Sequence, residues 1–217
     1  MTSSHPVAGN SSRSSTRPSP PRCSRHVLAT YERSHPQRAA LEAFVRDAFA
    51  LKHGALIRSF MPTLYALQGR NGRICGVAGV RHAAVEPLFL ECYLPVPIES
   101  ALSARIGAPV TRAQIVEIGN LSSLSCRAAF HLVALLPRLL IEHGYQWVTF
   151  TATDRVREIL DRFHAPLIEL GGATADKVAD LGRDWGRYYE CDPRVMAAWL
   201  PHGLSFPVPR TVQRHVG

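Results

Sequence analysis

The stretch that decides the fold is Gln114-Ile115-Val116-Glu117-Ile118-Gly119-Asn120-Leu121-Ser122-Ser123. Ile115–Ile118 is apolar enough for a central strand, yet it contains Glu117. A carboxylate in such a strand must be paired, hydrogen-bonded or open to a cleft. Gly119 predicts a bulge or a close backbone approach at the end of the strand, and Asn120 tolerates left-handed backbone. The pattern fits a functional site at the end of the strand, or a buried Glu–Arg pair before an ordinary helix.

Three serines follow this strand and precede the long helical pattern of Arg127–His143. The first backbone N–H groups of a helix lack partners within the helix and attract anions. Ser122, Ser123 and Ser125 are therefore expected to border an anion site, or simply to cap the helix.

The periodicity on either side predicts the order β-α-β-β, an irregular segment, and then β-α-β-α-β-β. The predicted strands are His26–Arg33, Thr63–Leu67, Ile74–Val80, Ile115–Ile118, Trp147–Thr153, Leu167–Leu170 and Arg187–Cys191. The predicted helices are Gln37–Lys52, Ile98–Ile106, Arg127–His143, Asp154–Phe163 and Pro193–Leu200. This alternation indicates one α/β (mixed α+β) domain, with a mixed central sheet between helices and parallel strands in its second half.

Composition limits the folded part to residues 27–200. The 217 residues are 46% apolar and 19% charged, enough for a core. Residues 1–26 form a Ser/Pro/Arg-rich segment that is expected to be disordered, and residues 201–217 are expected to form a loose C-terminal tail. The net charge of +8 comes mainly from these ends, because 27–200 holds 19 basic and 17 acidic residues. A nucleic-acid-binding domain should carry its basic patch on the fold, so that class is not expected.

The cysteines and the hydropathy indicate the compartment. Five scattered cysteines without C-x-x-C spacing argue against a disulfide scaffold and a thiolate metal site. The histidines form no H-E-x-x-H pair, so no metal is expected. No apolar stretch is long enough to span a membrane, and the N-terminus has no secretory signal. A reducing cytoplasm fits these features best.

Two further groups could carry chemistry. Glu91 is the one acid in the apolar run Leu88–Leu94. If it faces the same cleft as Glu117, mutual repulsion would raise one pKa toward the range of a general base; otherwise it is an edge residue in solvent. Tyr188 and Tyr189, close to Trp185, could supply a phenolic acid or could be aromatic core.

Five blocks of sequence, in this order and spacing, resemble the bacterial thermostable hemolysin family over roughly residues 35–200. They are Phe60-Met61-Pro62, Pro87–Glu91 with Tyr93-Leu94, Val116–Leu121, Phe150–Thr153, and Trp185-Gly186 with Tyr188-Tyr189. The family takes its name from a haemolytic phenotype, which implies no mechanism.

The order of elements is also similar to GNAT-type acyltransferases, most of all to their acyl-homoserine-lactone synthase branch. That branch carries Glu-x-Ser-Arg-Phe on a strand before a long helix, and Glu117 matches its glutamate. Gly119-Asn120 replace Ser-Arg, which argues against a homoserine-lactone product. The glycine-rich coenzyme A loop of ordinary GNAT enzymes is missing, because residues 122–129 contain no glycine. Phosphopantetheine on an acyl carrier protein is then the alternative donor to acyl-CoA.

This resemblance implies transfer of an acyl group from a phosphopantetheine thioester, on acyl carrier protein or coenzyme A, to a small amine or hydroxyl acceptor. Glu117 or Glu91 would accept the proton of the acceptor, and Tyr188 or Tyr189 would protonate the leaving thiolate. The thioester would lie in a gap at Gly119-Asn120, with a backbone N–H as oxyanion donor. The expected donor-binding residues are Gly119, Asn120, Leu121, Ser122, Ser123 and Ser125. A membrane-active haemolytic protein and a non-catalytic binding module remain alternatives.

Overall fold

The computed structural model describes residues 26–69, 71–162, 164, 166–178, 182–202 and 212–214. Its strands are β1 (Val27–Tyr31), β2 (Thr63–Gln68), β3 (Ile74–His82), β4 (Ile115–Ser123), β5 (Trp147–Ala152), β6 (Leu167–Gly172), β7 (Arg194–Trp199) and β8 (Val212–Arg214). Its α-helices are α1 (Arg38–His53), α2 (Ile98–Ile106), α3 (Cys126–Glu142) and α4 (Asp154–Asp161). None of the helices in this part of the chain is both long enough and apolar enough to cross a bilayer.

The strands form one mixed sheet in the order β6-β7-β5-β4-β3-β2-β1-β8. Alternate residues of β2 enter different cores: Leu64 and Ala66 pack under α1, whereas Tyr65 and Leu67 pack under α3. The period of two along the strand therefore places helices on both faces, which confirms the predicted fold class. The predicted parallel arrangement of the second half holds only for β4 and β5, because β7 is antiparallel to both β5 and β6.

Local sequence signals explain where the two long helices begin and end. Gly54 ends α1 in a left-handed conformation at φ 66°, and its N–H donates to the carbonyl of Ala50. Ser125 caps α3 by accepting a hydrogen bond from the Ala128 N–H at 3.2 Å. Pro137 lies inside α3.

The central strands β4 and β5 separate halfway along their length. They pair in parallel only from Ile115 to Ile118 on β4, whose last partner on β5 is Phe150. Beyond this point β4 pairs only with β3, and β5 pairs only with β7. A gap therefore opens between two neighbouring strands in the middle of the sheet.

A bulge in β4 lies at the same level. Gly79 of β3 is opposite Gly119, whereas Val77 is opposite Ser122, so β4 has one more residue than β3 between these pairs. Asn120, in the bulge, takes a left-handed conformation with φ 50°. Both the bulge and the backbone of Asn120 were expected from the sequence.

Met61 explains why the two facing glycines are needed. A Cβ atom on Gly119 would collide with the methyl group of Met61, and one on Gly79 would lie 2.5 Å from its Cβ. The Met61 N–H donates to Asn120 Oδ1 at 2.8 Å. The buried guanidinium of Arg38 donates to the carbonyls of Met61 and Pro62, which holds this segment over the bulge.

Two segments contradict the predicted elements. Arg187–Cys191 was predicted as a strand but contains a 3₁₀ helix over Tyr188–Cys191. Pro193–Leu200 was predicted as a helix but forms strand β7. Val195 and Ala197 of β7 pack in one core and Ala198 packs against the other, so both faces of the strand are covered. Its sequence therefore lacks the polar alternation that reveals a half-exposed strand.

Other differences are smaller. The run Leu88–Leu94 contains the 3₁₀ helix Phe89–Tyr93, which we call the 89–93 segment. Most of the two predicted tails, 1–26 and 201–217, lies outside the described residues. Within the second tail, however, Val212–Arg214 adds the short strand β8 beside β1.

Candidate active site

The gap between β4 and β5 is bordered on one face of the sheet by the polar cavity, which encloses about 610 Å³, including the part open to solvent. Its polar lining comes from Ser59, Arg81, Glu117, Asn120 and Thr151. Its remaining wall is largely aromatic: Phe49, Phe60, Phe89, Tyr93, Trp185 and Tyr188. A concave, mostly apolar site with a few convergent polar groups is the usual form of a small-molecule site.

Glu117 is the buried carboxyl group of this cavity, with only 2% of its surface exposed. Its two oxygens accept the backbone N–H groups of Phe89 at 2.8 Å and Leu90 at 3.1 Å. Burial raises the pKa of Glu117 to about 7, although these N–H groups and the charge of Arg81 oppose the rise. A carboxyl group that titrates near neutral pH is suited to take up and release a proton.

Arg81 lies directly opposite Glu117 in the antiparallel pairing of β3 and β4. Among the ion pairs of the described residues, none involves Glu117, so the expected buried Glu–Arg pair is not formed. The nearest carboxylate partner of Arg81 is Glu86, with 3.8 Å between Nε and Oε2. Arg81 Nε is buried and has no hydrogen-bond partner within the described part of the chain.

Glu91 lies outside the lining of the polar cavity, and its carboxylate is occupied by contacts within the fold. Its carboxylate accepts the N–H groups of Leu88 and Ile98 and forms a salt bridge of 2.6 Å with Arg112. Partial burial would raise the pKa of Glu91, but the hydrogen bonds from Arg112 and the two N–H groups lower it. Glu91 therefore anchors the 89–93 segment, whose N–H groups hold Glu117.

The two candidate tyrosines have different positions. Tyr188 lines the polar cavity, whereas Tyr189 lies behind the lining, with its hydroxyl 2.8 Å from that of Tyr93 and its ring against Tyr188. Burial raises the pKa of Tyr188 and of Tyr189, so both phenols are weaker acids than a free tyrosine.

The predicted donor-binding residues do not all meet at one place. Gly119 and Asn120 line the polar cavity, and Leu121 lines a second cavity described below. Ser122 and Ser123 belong to β4, not to the start of the helix, and the buried Ser122 hydroxyl donates to the Asn120 carbonyl at 3.3 Å. Of the three serines, only Ser125 is at the helix start, as the cap of α3.

A second cavity, the apolar cavity, lies on the α3 face of the sheet and encloses about 740 Å³, including the part open to solvent. Its side chains come from β4, β5, β6, β7, α3, α4 and Leu200, and every one is apolar. Representative residues are Leu121, Leu136, Phe150, Val156 and Ala198. Ile118, the last residue of β4 that pairs with β5, lines both cavities. The gap between the strands thus has a polar site on one side and an apolar one on the other.

Sequence reasoning missed the roles of Met61, Arg81, Phe89 and Tyr93 in the polar cavity. Met61 and Phe89 lie within the blocks that carry the family resemblance, which was a usable signal. Arg81 is one of many arginines, and only the register of β3 against β4 reveals that it faces Glu117. No cluster of potential metal ligands occurs among the described residues.

Comparison with solved structures reveals the same fold in acyl-homoserine-lactone synthases. LasI, one such synthase, matches with a TM-score of 0.56 at 14% identity, over 87% of this chain and 99% of its own. BjaI, a CoA-dependent synthase solved with SAM and isopentyl-CoA, matches with a TM-score of 0.60 at 12% identity, over 88% of this chain and 94% of its own. FeeM, an N-acyl amino acid synthase from uncultured soil microbes, matches with a TM-score of 0.56 at 12% identity, over 83% of this chain and 93% of its own.

These likenesses establish a GNAT-like fold and, at such low identity, nothing finer. No curated protein matches this sequence. The model of one family, described as thermostable hemolysin, matches residues 31–204, which include both cavities, the last residue of β1 and the whole of β2 to β7. This chain is therefore a member of the thermostable hemolysin family.

Proposed function

We propose that this protein is an acyltransferase that moves an acyl group from a phosphopantetheine thioester to a small amine. The observation that carries the proposal is the separation of β4 and β5, with an apolar cavity on one side and the Glu117 cavity on the other. A thioester carbon in this gap would have space for its acyl chain on one side and for an acceptor beside a proton-accepting group on the other. The structural neighbours LasI, BjaI and FeeM are all acyl-transferring synthases, which supports the reaction class.

The apolar cavity is suited to the acyl chain, because its wall offers no hydrogen-bond partner to a polar ligand group. Each methylene group buried there contributes about 0.8 kcal/mol. The pantetheine arm would continue through the gap toward the capped start of α3 at Ser125. A thioester of coenzyme A and one of acyl carrier protein share this arm, and BjaI is a CoA-dependent synthase.

The reaction needs one proton acceptor and one oxyanion donor. The neutral amine nitrogen attacks the thioester carbon, a backbone N–H near Gly119 stabilises the oxyanion, and Glu117 takes the proton that the nitrogen loses. Collapse of the tetrahedral intermediate breaks the C–S bond and releases the thiolate. A Glu117 carboxyl group with a pKa of about 7 can then protonate a thiolate whose conjugate acid has a pKa of about 8.5.

The proposed role of the tyrosines follows from their acidity. A phenol with a raised pKa is a poor acid toward a thiolate, so proton donation by Tyr188 or Tyr189 is not required. We assign to Tyr188 a hydrogen bond to substrate in the polar cavity. Glu91 has the positioning role described above, because Arg112 occupies its carboxylate.

The test is release of free thiol from a series of acyl-CoA and acyl-carrier-protein substrates, with a pool of amines and alcohols as acceptors and mass spectrometry of the product. Transfer by the wild type should fall about 10²–10⁴-fold in Glu117→Gln, the range for loss of a proton-transfer group. Glu142→Gln, which removes an exposed carboxylate at the end of α3, is the matched control and should keep full activity. Absence of thiol release with every donor would refute the proposal.

The membrane-active alternative is tested in parallel by adding the pure protein to red cells without an acyl donor. The amphipathic helix α3 has eight buried residues and packs on the sheet. Lysis that needs no donor and persists in Glu117→Gln would favour direct action on membranes.

A further inference from the structure

Arg81 is a cation in the polar cavity with unused hydrogen-bonding capacity. Its side chain is only 17% exposed, and its buried Nε has no hydrogen-bond partner among the described residues. Its existing contacts are long, at 3.4 Å from Nη1 to the Pro87 carbonyl and 3.8 Å from Nε to Glu86. A buried donor without a partner lowers stability by about 1–3 kcal/mol, so its presence in a cavity calls for a ligand.

Arg81 and Glu117 are close without being paired. Residues directly opposite in an antiparallel pair have Cβ atoms about 4.5–5.5 Å apart on the same face of the sheet. The charge of Arg81 acts on Glu117, yet the two groups form no ion pair within 4 Å. The Glu117 carboxylate instead accepts the backbone N–H groups of Phe89 and Leu90, and Arg81 and Glu117 line the same cavity.

We infer that the acceptor is an α-amino acid, whose carboxylate binds Arg81 while its amino group lies at Glu117. This inference rests on the proposed function and names its substrate class. A guanidinium forms two parallel hydrogen bonds with a carboxylate, and Arg81 lines the cavity with its Nε donor unpaired among the described residues. An α-amino acid carries its two charged groups on one carbon, which matches two side chains that face each other across neighbouring strands.

A plain amine or an alcohol fits the cavity less well. Arg81 is the only permanent cation among the described residues that line it, and such an acceptor would leave its buried Nε without a hydrogen-bond partner, since Glu86 is 3.8 Å away. The aromatic wall of Phe89, Trp185 and Tyr188 would exclude water from the same complex. Arg81 would therefore select the acceptor and fix the direction of its amino group.

The step is balanced without a further reactant. The amino acid loses one proton from its ammonium group to solvent, and its neutral nitrogen then attacks the thioester carbon. The C–N bond of the amide forms, the C–S bond breaks, and the second nitrogen proton passes through Glu117 to the thiolate. The carboxylate of the amino acid remains unchanged on Arg81.

The experiment screens the twenty amino acids as acceptors, then compares each accepted one with the amine that lacks only its carboxylate. We expect the ratio of kcat/KM for the amino acid to that for its amine to be about 10–100, and to fall close to 1 in Arg81→Met. The ratio is the proper readout, because Arg81→Met also changes the pKa of Glu117, which affects both acceptors equally. The control is Arg33→Met, which removes an exposed guanidinium that contacts the same Glu86 and should keep the wild-type ratio.

Calorimetric titration of the donor-free protein with the same pairs separates this inference from acyl transfer itself. Binding that depends on both the carboxylate and Arg81, without thiol release from any donor, would support the acceptor site and refute the transferase. Thiol release with amines and amino acids at equal kcat/KM would refute the amino-acid acceptor and leave the transferase standing. Failure of all twenty amino acids to bind or react would also overturn the inference.

Discussion

Replacing Glu117 by glutamine should make the protein less stable than the wild type at acidic pH, but equally or more stable at alkaline pH. Burial raises the pKa of this carboxyl group in the folded protein from its usual 4.5 to about 7. At 1.36 kcal/mol for each pKa unit, this rise corresponds to roughly 3 kcal/mol. Because the folded-state pKa is raised, the stabilisation is fully present below pH 4.5 and is lost as pH rises through about 7.

Glutamine cannot ionise, so its contribution to the free energy of unfolding does not change with pH. It does turn an amide donor toward the N–H of either Phe89 or Leu90, which lowers the free energy of unfolding by about 1–3 kcal/mol at every pH. The variant should therefore be less stable than the wild type at pH 5. At pH 8.5 it should equal or exceed the wild type, because the wild type then holds a buried charge.

Urea unfolding of both proteins at five pH values from 5 to 9 measures the difference directly. Glu91→Gln is the control with the opposite sign, because the pKa of Glu91 is lowered by Arg112 and the backbone N–H groups. Its carboxylate stabilises the fold above its usual pKa of 4.5, and that effect is lost only as pH falls below this value, so the penalty for glutamine there should stay constant from pH 5 to 9. A stability difference for Glu117→Gln that stays constant from pH 5 to 9 would refute the raised pKa and, with it, the role of Glu117 as the base.

Three further results are expected. Gly119→Ala should sharply reduce acyl transfer, because its methyl group would collide with Met61; adding Met61→Ala should restore part of the rate, and additive effects of the two changes would contradict the contact. Ala198→Phe should fill the apolar cavity and lower kcat/KM for the longest accepted acyl chain by about 10–200-fold, measured across a chain-length series in which the shortest donor should be unaffected. Arg112→Met should lower the free energy of unfolding by about 1–3 kcal/mol in urea titrations, since Glu91 loses its charged donor, and should reduce transfer without altering the acceptor ratio.

The sequence was sufficient for the fold around Glu117 because the signals there are local. A lone carboxylate in a central strand, a glycine at its end and an asparagine that tolerates left-handed backbone predicted the bulge where it occurs. This feature depends on the conformational preference of one or two residues. The gap between β4 and β5 was expected at Gly119-Asn120 from the resemblance to acyltransferases, and the two strands separate there.

The incorrect predictions concern properties that depend on distant residues. Strand β7 consists of residues such as Met196 and Ala197 that favour helices in isolation, and its position between β5 and β6 overrides that preference. Glu91 and Glu117 have the same type of apolar surroundings in the sequence. Only the fold brings Arg112, some twenty residues away, to Glu91 and leaves Glu117 with backbone donors.

The backbone origin of the hydrogen bonds to Glu117 has a consequence for protein engineering. Because the N–H groups of residues 89 and 90 hold the carboxylate, any residue except proline at these positions retains both donors. Leu90 is fully buried, but the side chain of Phe89 forms part of the cavity wall. Position 89 can therefore be randomised in a library to reshape the pocket while the carboxylate keeps its anchoring, so the acceptor specificity that we propose could be altered without moving Glu117.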